Sequence, residues 1–452
     1  IKLHIPWQGC HFGHGGNPFM HHTHGFHVIS AILSKRTGRP VKTMYNRREN
    51  FYGLSQDADS NTHFKVGFQD DGTITAVKID QIVAKMGQYG IDHFEDNTRI
   101  PNLLLNYVEA QTNFSPAWWF RCEQNHNSFC FSAVFAHVAD ATGLDPTEVA
   151  LKNDGVEGKD MEYLSKFKKD HGFPDRDSLK ECIDKGKAAI DWDNKWHEPG
   201  KKVLPNGKLH GIGFTWDHEW DDNRGSASAG LIMHCDGTVD ILAQKPDDGV
   251  NPMGTNCEIV AEEMGLKLED VNWRFFEETG FQMMTPDGSC NLCTDAYVSL
   301  KMARKAKKTL LEYATTTLKL IEIEYPPVFP DHKPEDLDVK DSMVFVKADP
   351  ENTVHVSEVV KRATLNQNGS QAPLFEWAYH RQGRYGCEEG RHRLCRQGYF
   401  AEVEVDPDTG HVDIKKIVNV NDVGKALSPE TCEGQQYGGA YMAAGRVMGE
   451  EV

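Results

Sequence analysis

The chain has 452 residues, 39% of them apolar and 26% charged, which is ordinary for a globular protein and long enough for two or three separate cores. No apolar run reaches the roughly 18 to 20 residues that cross a bilayer, and a formal charge of −18 argues against general affinity for nucleic acid or anionic membranes. Eleven thinly spread cysteines suit reduced thiols better than a disulfide framework, so a cytoplasmic protein is expected.

Ile1–Gln8 has no basic stretch followed by a long apolar one, so it does not read as a signal peptide. A start at Ile rather than Met suggests that the natural N-terminus lies upstream or that the chain was processed. Seven histidines crowd the first residues, from His4 to His27, and the glycine-rich run Gly9-Cys10-His11-Phe12-Gly13-His14-Gly15-Gly16 leads into a helical pattern from about Met20. Such a loop lets backbone N–H groups approach an anionic ligand. It lacks the spacing of a phosphate-binding P-loop or a dinucleotide fingerprint.

Alternating apolar runs flank an Asp-Gly or Thr-Gly turn three times and predict three hairpins. They are 63–68 with 74–83, 229–235 with 239–243, and 399–405 with 412–420. Helical spacing covers 129–142 and 291–314. Asp145-Pro146 and Ser428-Pro429 read as N-cap and first helical residue of segments running to Lys152 and to about Gly445. The run 301–308 is basic and is expected to be a solvated helix face rather than a docking patch. Gly386–Gly398 reads as a basic loop. The fold class is α+β. A first domain over 1–165, a connecting segment over 166–207 and a second domain over 208–452 are expected.

Several of these runs, in order, resemble the molybdopterin-binding large subunit of molybdenum hydroxylases, the xanthine dehydrogenase/aldehyde oxidoreductase family. The glycine loop is followed by Thr37-Gly38-Arg39-Pro40-Val41-Lys42, then by Ser115-Pro116-Ala117-Trp118-Trp119-Phe120-Arg121-Cys122 and by Gly143-Leu144-Asp145-Pro146 with Lys152-Asn153. Lys245 to Asn251 stands at the family's pterin loop, and Asp287-Gly288-Ser289-Cys290 resembles its Gly-Ser-Arg segment. The closing run is Asp406 to Gly410, Asp422-Val423-Gly424 and Glu433-Gly434-Gln435-Gln436-Tyr437-Gly438-Gly439. The resemblance implies two mixed sheet-and-helix domains enclosing a molybdopterin, in a dinucleotide form, whose molybdenum or tungsten is held by the pterin and not by protein side chains.

The resemblance implies cofactor contacts at Gly9, Cys10, His11, Phe12, Gly13, Arg121, Cys122, Gly249, Val250, Gly288, Ser289, Cys290 and Gln435. Arg121 is the implied catalytic residue, its guanidinium orienting the substrate and stabilising developing negative charge. The implied reaction is hydroxylation with water, or the reverse reduction, at an electron-poor carbon of an aldehyde, N-heterocycle or aromatic thioester. Electrons would pass to an iron–sulfur subunit, with FAD on a further partner.

This sequence also departs from the family pattern. Cys10, His11 and His14 replace small residues, and Val250 stands where glutamine is usual. The family's catalytic glutamate belongs to a segment beyond the one that ends here at Val452, so it is expected from further large-subunit sequence or another subunit. Hydrogen bonding by His11 or His14 to pterin or substrate is a better reading than metal ligation. The Arg121-Cys122 pair leaves two alternatives open. One is a carbon monoxide dehydrogenase-like site with copper on Cys122; the other is a catalytically silent cofactor-binding scaffold.

Overall fold

The computed structural model describes residues 26–44, 46, 48–49, 60–84, 94, 97–111, 125–155, 178–220, 226–243, 247, 249–275, 291–320, 323–363, 374–381 and 394–449. The chain opens with helix α1 (Phe26–Thr37). Strands β1 (Ser60–Phe68) and β2 (Ile74–Ala84) form the first expected hairpin, and β3 (Leu103–Ala110) joins β2 in parallel. Asp71 Oδ1 accepts the Thr73 N–H and closes the turn between β1 and β2.

Helices α2 (Asn125–Thr142) and α3 (Pro146–Asn153) follow. Asp145 caps α3 as its sequence position predicts, accepting the Thr147 N–H at 2.8 Å. At the other end of α3 buried Asn153 has three bonds. It accepts the Ile74 N–H and donates to the Gly72 and Val149 carbonyls. Lys152 donates beside it to the Asp71 carbonyl and carboxylate, so α3 is pinned to the β1–β2 turn.

The described part of 166–207 contains α4 (Leu179–Ile190) and the short α5 (Trp192–Lys195). Leu179 and Ile183 of α4 are buried with Ile74, Ile79, Phe131, Phe135 and Trp216, which places α4 in the first core. Trp216 lies on β4 (Leu209–Trp220), and its ring meets Phe135 edge-on at 4.4 Å.

The hairpin β5 (Ser226–Met233) with β6 (Val239–Ala243) appears as expected. Every residue of β6 is buried, as befits a central strand covered on both faces. Helix α6 (Pro252–Met264) then crosses to β7 (Val271–Phe275), which runs parallel to β6. Long α7 (Asn291–Thr315) covers this sheet. A small β8 (Leu318–Leu320) and β9 (Ile323–Tyr325) pair precedes the three-stranded sheet β10 (Leu337–Lys340), β11 (Met343–Val346) and β12 (Asp349–His355). Helix α8 (Val356–Ala363) and β13 (Leu374–Arg381) complete the second core, with β13 pairing with β5.

The last hairpin joins β14 (Leu394–Val405) and β15 (Val412–Asn421), and β14 also pairs with β4. Residues 394–398, expected in a basic loop, instead begin β14. The buried Arg396 hid the strand, because its guanidinium forms an ion pair with buried Asp154. Helix α9 (Pro429–Met448) touches β15, where Asn419 Nδ2 donates to the Gln436 carbonyl. Ser428 precedes it as expected but makes no side-chain cap bond; instead its carbonyl accepts the Cys432 N–H and the Thr431 hydroxyl.

Candidate functional site

The crossover from β6 to α6 places a loop at the carboxyl end of a strand and the N-terminus of a helix, where open α/β sheets bind their ligands. Gly249 lies in that loop at φ +98, a conformation that an L side chain rarely adopts. Its N–H donates to Asp247 Oδ1 at 2.8 Å. Its carbonyl accepts from Gln435 Nε2, on α9, at 3.0 Å across 186 residues of sequence. A Cβ on Gly249 would stand 3.1 Å from that nitrogen, so the Gln435 side chain would have to shift by a few tenths of an ångström to make room. Asn251, at φ +50, caps α6 by accepting the Gly254 N–H, with Pro252 at the first helical position.

Just inside this helix, Thr255 and Asn256 are fully buried. Asn256 Nδ2 donates to the Pro252 carbonyl at 2.6 Å, but Asn256 Oδ1 and Thr255 Oγ1 have no hydrogen-bond partner among the described residues. The same holds for Ser299 Oγ on α7, the helix packed against α6. Buried polar atoms left in this way cost about 1–3 kcal/mol each, so the neighbourhood suits a polar ligand that supplies the missing bonds. Burial pushes the Cys257 thiol on the same helix up to about 11, which favours the neutral thiol.

Of the residues expected at a site, Gly249, Val250 and Gln435 are described, and Gly249 and Gln435 are brought together. Gly9, Cys10, His11, Phe12, Gly13, Arg121, Cys122, Gly288, Ser289 and Cys290 lie outside the described residues, as do His14, Trp118, Trp119 and Phe120. Thr255 and Asn256 are not among the residues that the sequence singles out, and Asn251 enters there only as the end of the run at the family's pterin loop. Asn251-Pro252 carries the same cap-and-proline signal as Asp145-Pro146 and marks the helix start they share. Among the described residues no group of three or more His, Cys, Asp or Glu could hold a metal ion, and no helix is long and apolar enough to cross a membrane.

The basic run 301–308 is drawn into the protein's own ion pairs. Arg304 pairs with Glu263, Lys305 with Glu376, Lys307 with Asp338 and Lys308 with Glu312. Lys301 sits 4.5 Å above the Tyr297 ring.

Two models of the molybdopterin cofactor-binding domain match the chain, over residues 13–154 and 182–452. The chain belongs to the molybdopterin-binding large-subunit family of molybdenum hydroxylases. It is 24% identical over 454 residues to the xanthine dehydrogenase molybdenum-binding subunit of Escherichia coli O157:H7, covering 94% of this chain and 55% of that one. Its fold resembles quinoline 2-oxidoreductase from Pseudomonas putida 86, with TM-score 0.72, 19% identity and coverage of 94% and 55% of the two chains. Aldehyde oxidoreductase from Desulfovibrio gigas gives TM-score 0.62 at 18% identity, covering 93% and 43%. The chain thus spans about half the length of the relatives it matches.

Proposed function

We propose that this chain is the cofactor-holding part of a molybdopterin-dependent oxidoreductase that hydroxylates an electron-poor carbon with water, or runs the reverse reduction. The substrate would be an aldehyde, an N-heterocycle or an aromatic thioester. The observation that carries the reading is the hydrogen bond between Gly249 and Gln435, taken with buried atoms of Thr255 and Asn256 that find no partner among the described residues. When bound, the molybdenum or tungsten pterin group supplies two-electron chemistry at the substrate carbon. Gly249, Val250 and Gln435 would help to hold it, together with Gly9 to Gly13 and Gly288 to Cys290, the contacts that the family resemblance implies. Arg121 orients the substrate and offsets negative charge as it develops.

The division into domains over 1–165 and 208–452, joined by 166–207, belongs to the same proposal. So do an iron–sulfur partner with a flavin subunit, a glutamate base from further large-subunit sequence, and a cytoplasmic setting. The test is metal and pterin analysis of the intact purified complex, with a reduction assay on aldehydes and N-heterocycles. We expect about one molybdenum or tungsten per chain and substrate-dependent reduction of the complex. An intact complex without either metal would sink the enzyme reading.

A further inference from the structure

A chain of hydrogen bonds outside the cofactor site joins two histidines to a buried carboxylate. His197, just after α5, places Nδ1 2.7 Å from the Glu198 carbonyl and Nε2 2.8 Å from His210 Nδ1. His210, on β4 and 5% exposed, places Nε2 3.1 Å from Glu402 Oε1 on β14. Lys195 holds the other carboxylate oxygen at 2.8 Å.

The protons of this chain can be counted. The Glu198 carbonyl can only accept, so His197 Nδ1 must carry a proton. The contact between the rings needs one more proton, and so does the bond to Glu402. Burial works against ionising Glu402, but the bonds from Lys195 and His210 outweigh it and hold the carboxyl below its ordinary range. Glu402 is therefore a carboxylate, and all three protons sit on the imidazoles. Two neutral imidazoles carry only two.

We propose that His197 and His210 share one extra proton and form a pH-sensitive latch that fastens the turn between α5 and β4 onto the β4–β14 sheet. Losing that proton leaves two acceptors facing each other, and gaining another sets two donors face to face between the rings. The latch therefore holds only over an intermediate pH range.

The α4–α5 segment is tied to the α2–α3 turn through Trp192 Nε1 and Lys187 Nζ, both bonded to Asp145. The other charged groups around the pair are paired elsewhere or on the rim. On the α5 side these are Asp191, Asp193, Glu198, Lys201 and Lys202, with Lys201 against Glu198 and Asp193 against Lys187. On the strands, Lys208 pairs with Asp413, Glu404 with Lys415, and Lys416 donates to the Ala189 carbonyl.

The test is amide hydrogen exchange of the peptide spanning 196–208 in the full chain, corrected for intrinsic rates, from about pH 5 to about pH 9. Protection is expected to peak at intermediate pH and to fall about fivefold on either side, as loss of one ordinary hydrogen bond implies. His197→Gln, which cannot ionise, is expected to flatten the profile. Flat protection in the unsubstituted protein, or the same peak in His197→Gln, overturns the latch. Imidazole 15N spectra of the unsubstituted protein give an independent reading that needs no variant. Three ring N–H protons on the pair at intermediate pH support it, and two overturn it.

Discussion

Asp71 shows how single side chains stitch the first half of the chain together. It lies at the surface, yet its carboxyl is lowered to about 2 by hydrogen bonds from Lys152, first, and then from the Thr73 backbone and hydroxyl. A carboxyl depressed in the folded state stabilises that state above its unfolded value and loses this contribution as pH falls through the folded one. The Lys152 contact to β1–β2 is therefore expected to hold at neutral pH and to fade only as pH falls from about 3.8 to about 2. Lys152→Ala should move the Asp71 titration up toward 3.8, read from carboxyl 13C shifts in an aspartate-labelled protein. No movement would show that the Thr73 bonds alone depress it. Asp145, Lys152 and Asn153 were visible in the sequence as a helix start and finish. That Asn153 also accepts the Ile74 N–H, 79 residues away, was not visible, because no local pattern records such a distant partner.

At the scale of elements, the hairpins were the most legible part. Each combines a period-two run with a turn whose backbone is held by its own aspartate, and both signals are local. Helix α4 was missed because 154–208 is rich in Lys, Asp and Gly, and only one face of the helix, through Leu179, Cys182, Ile183 and Ile190, meets the sheet. The beginning of β14 was missed because its buried position is filled by Arg396, whose charge is compensated by Asp154 from another element.

The end of α6 shows what a close approach demands. Gly265 sits at φ +74 and donates to the Glu262 carbonyl while Leu266 donates to Ala261, closing the helix. A Cβ there would fall on the Val339 carbonyl, where β10 passes. Gly265→Ala should cost about 3 kcal/mol, from left-handed strain and overpacking together, seen as a lower urea midpoint. An unchanged midpoint would mean that β10 is free to move away.

Across the whole molecule, α9 presents an arrangement that local propensity does not explain. It spans 20 residues and buries none of them fully, and it leaves Tyr437 and Tyr441 70% and 83% exposed. Apolar exposure continues through Ile414, Ile417, Val423 and Leu427, a surface of the kind that marks contact with other polypeptide or ligand. The glycines at 434, 438 and 439 have open space where a Cβ would stand, so nothing within the described residues requires them. Gln435, on this helix, reaches the α6 loop. Gln435→Ala is expected to lower the molybdopterin retained through purification severalfold, measured by released pterin fluorescence, with circular dichroism unchanged. Full retention would place Gln435 outside the cofactor's hold.

By itself the sequence determined the class and the kin of this protein. Ordered short motifs, hairpin turns and helix starts are local features, and they pointed to the family at only 24% identity to a relative. Only the tertiary structure decided which distant residues meet: Gln435 with Gly249, Arg396 with Asp154, and His197 and His210 with Glu402. Those encounters depend on strand register, helix crossing and burial, which are set jointly by the whole core. The firm family assignment and the missed contacts have the same origin, because local chemistry is written in neighbouring residues and long-range pairing is not.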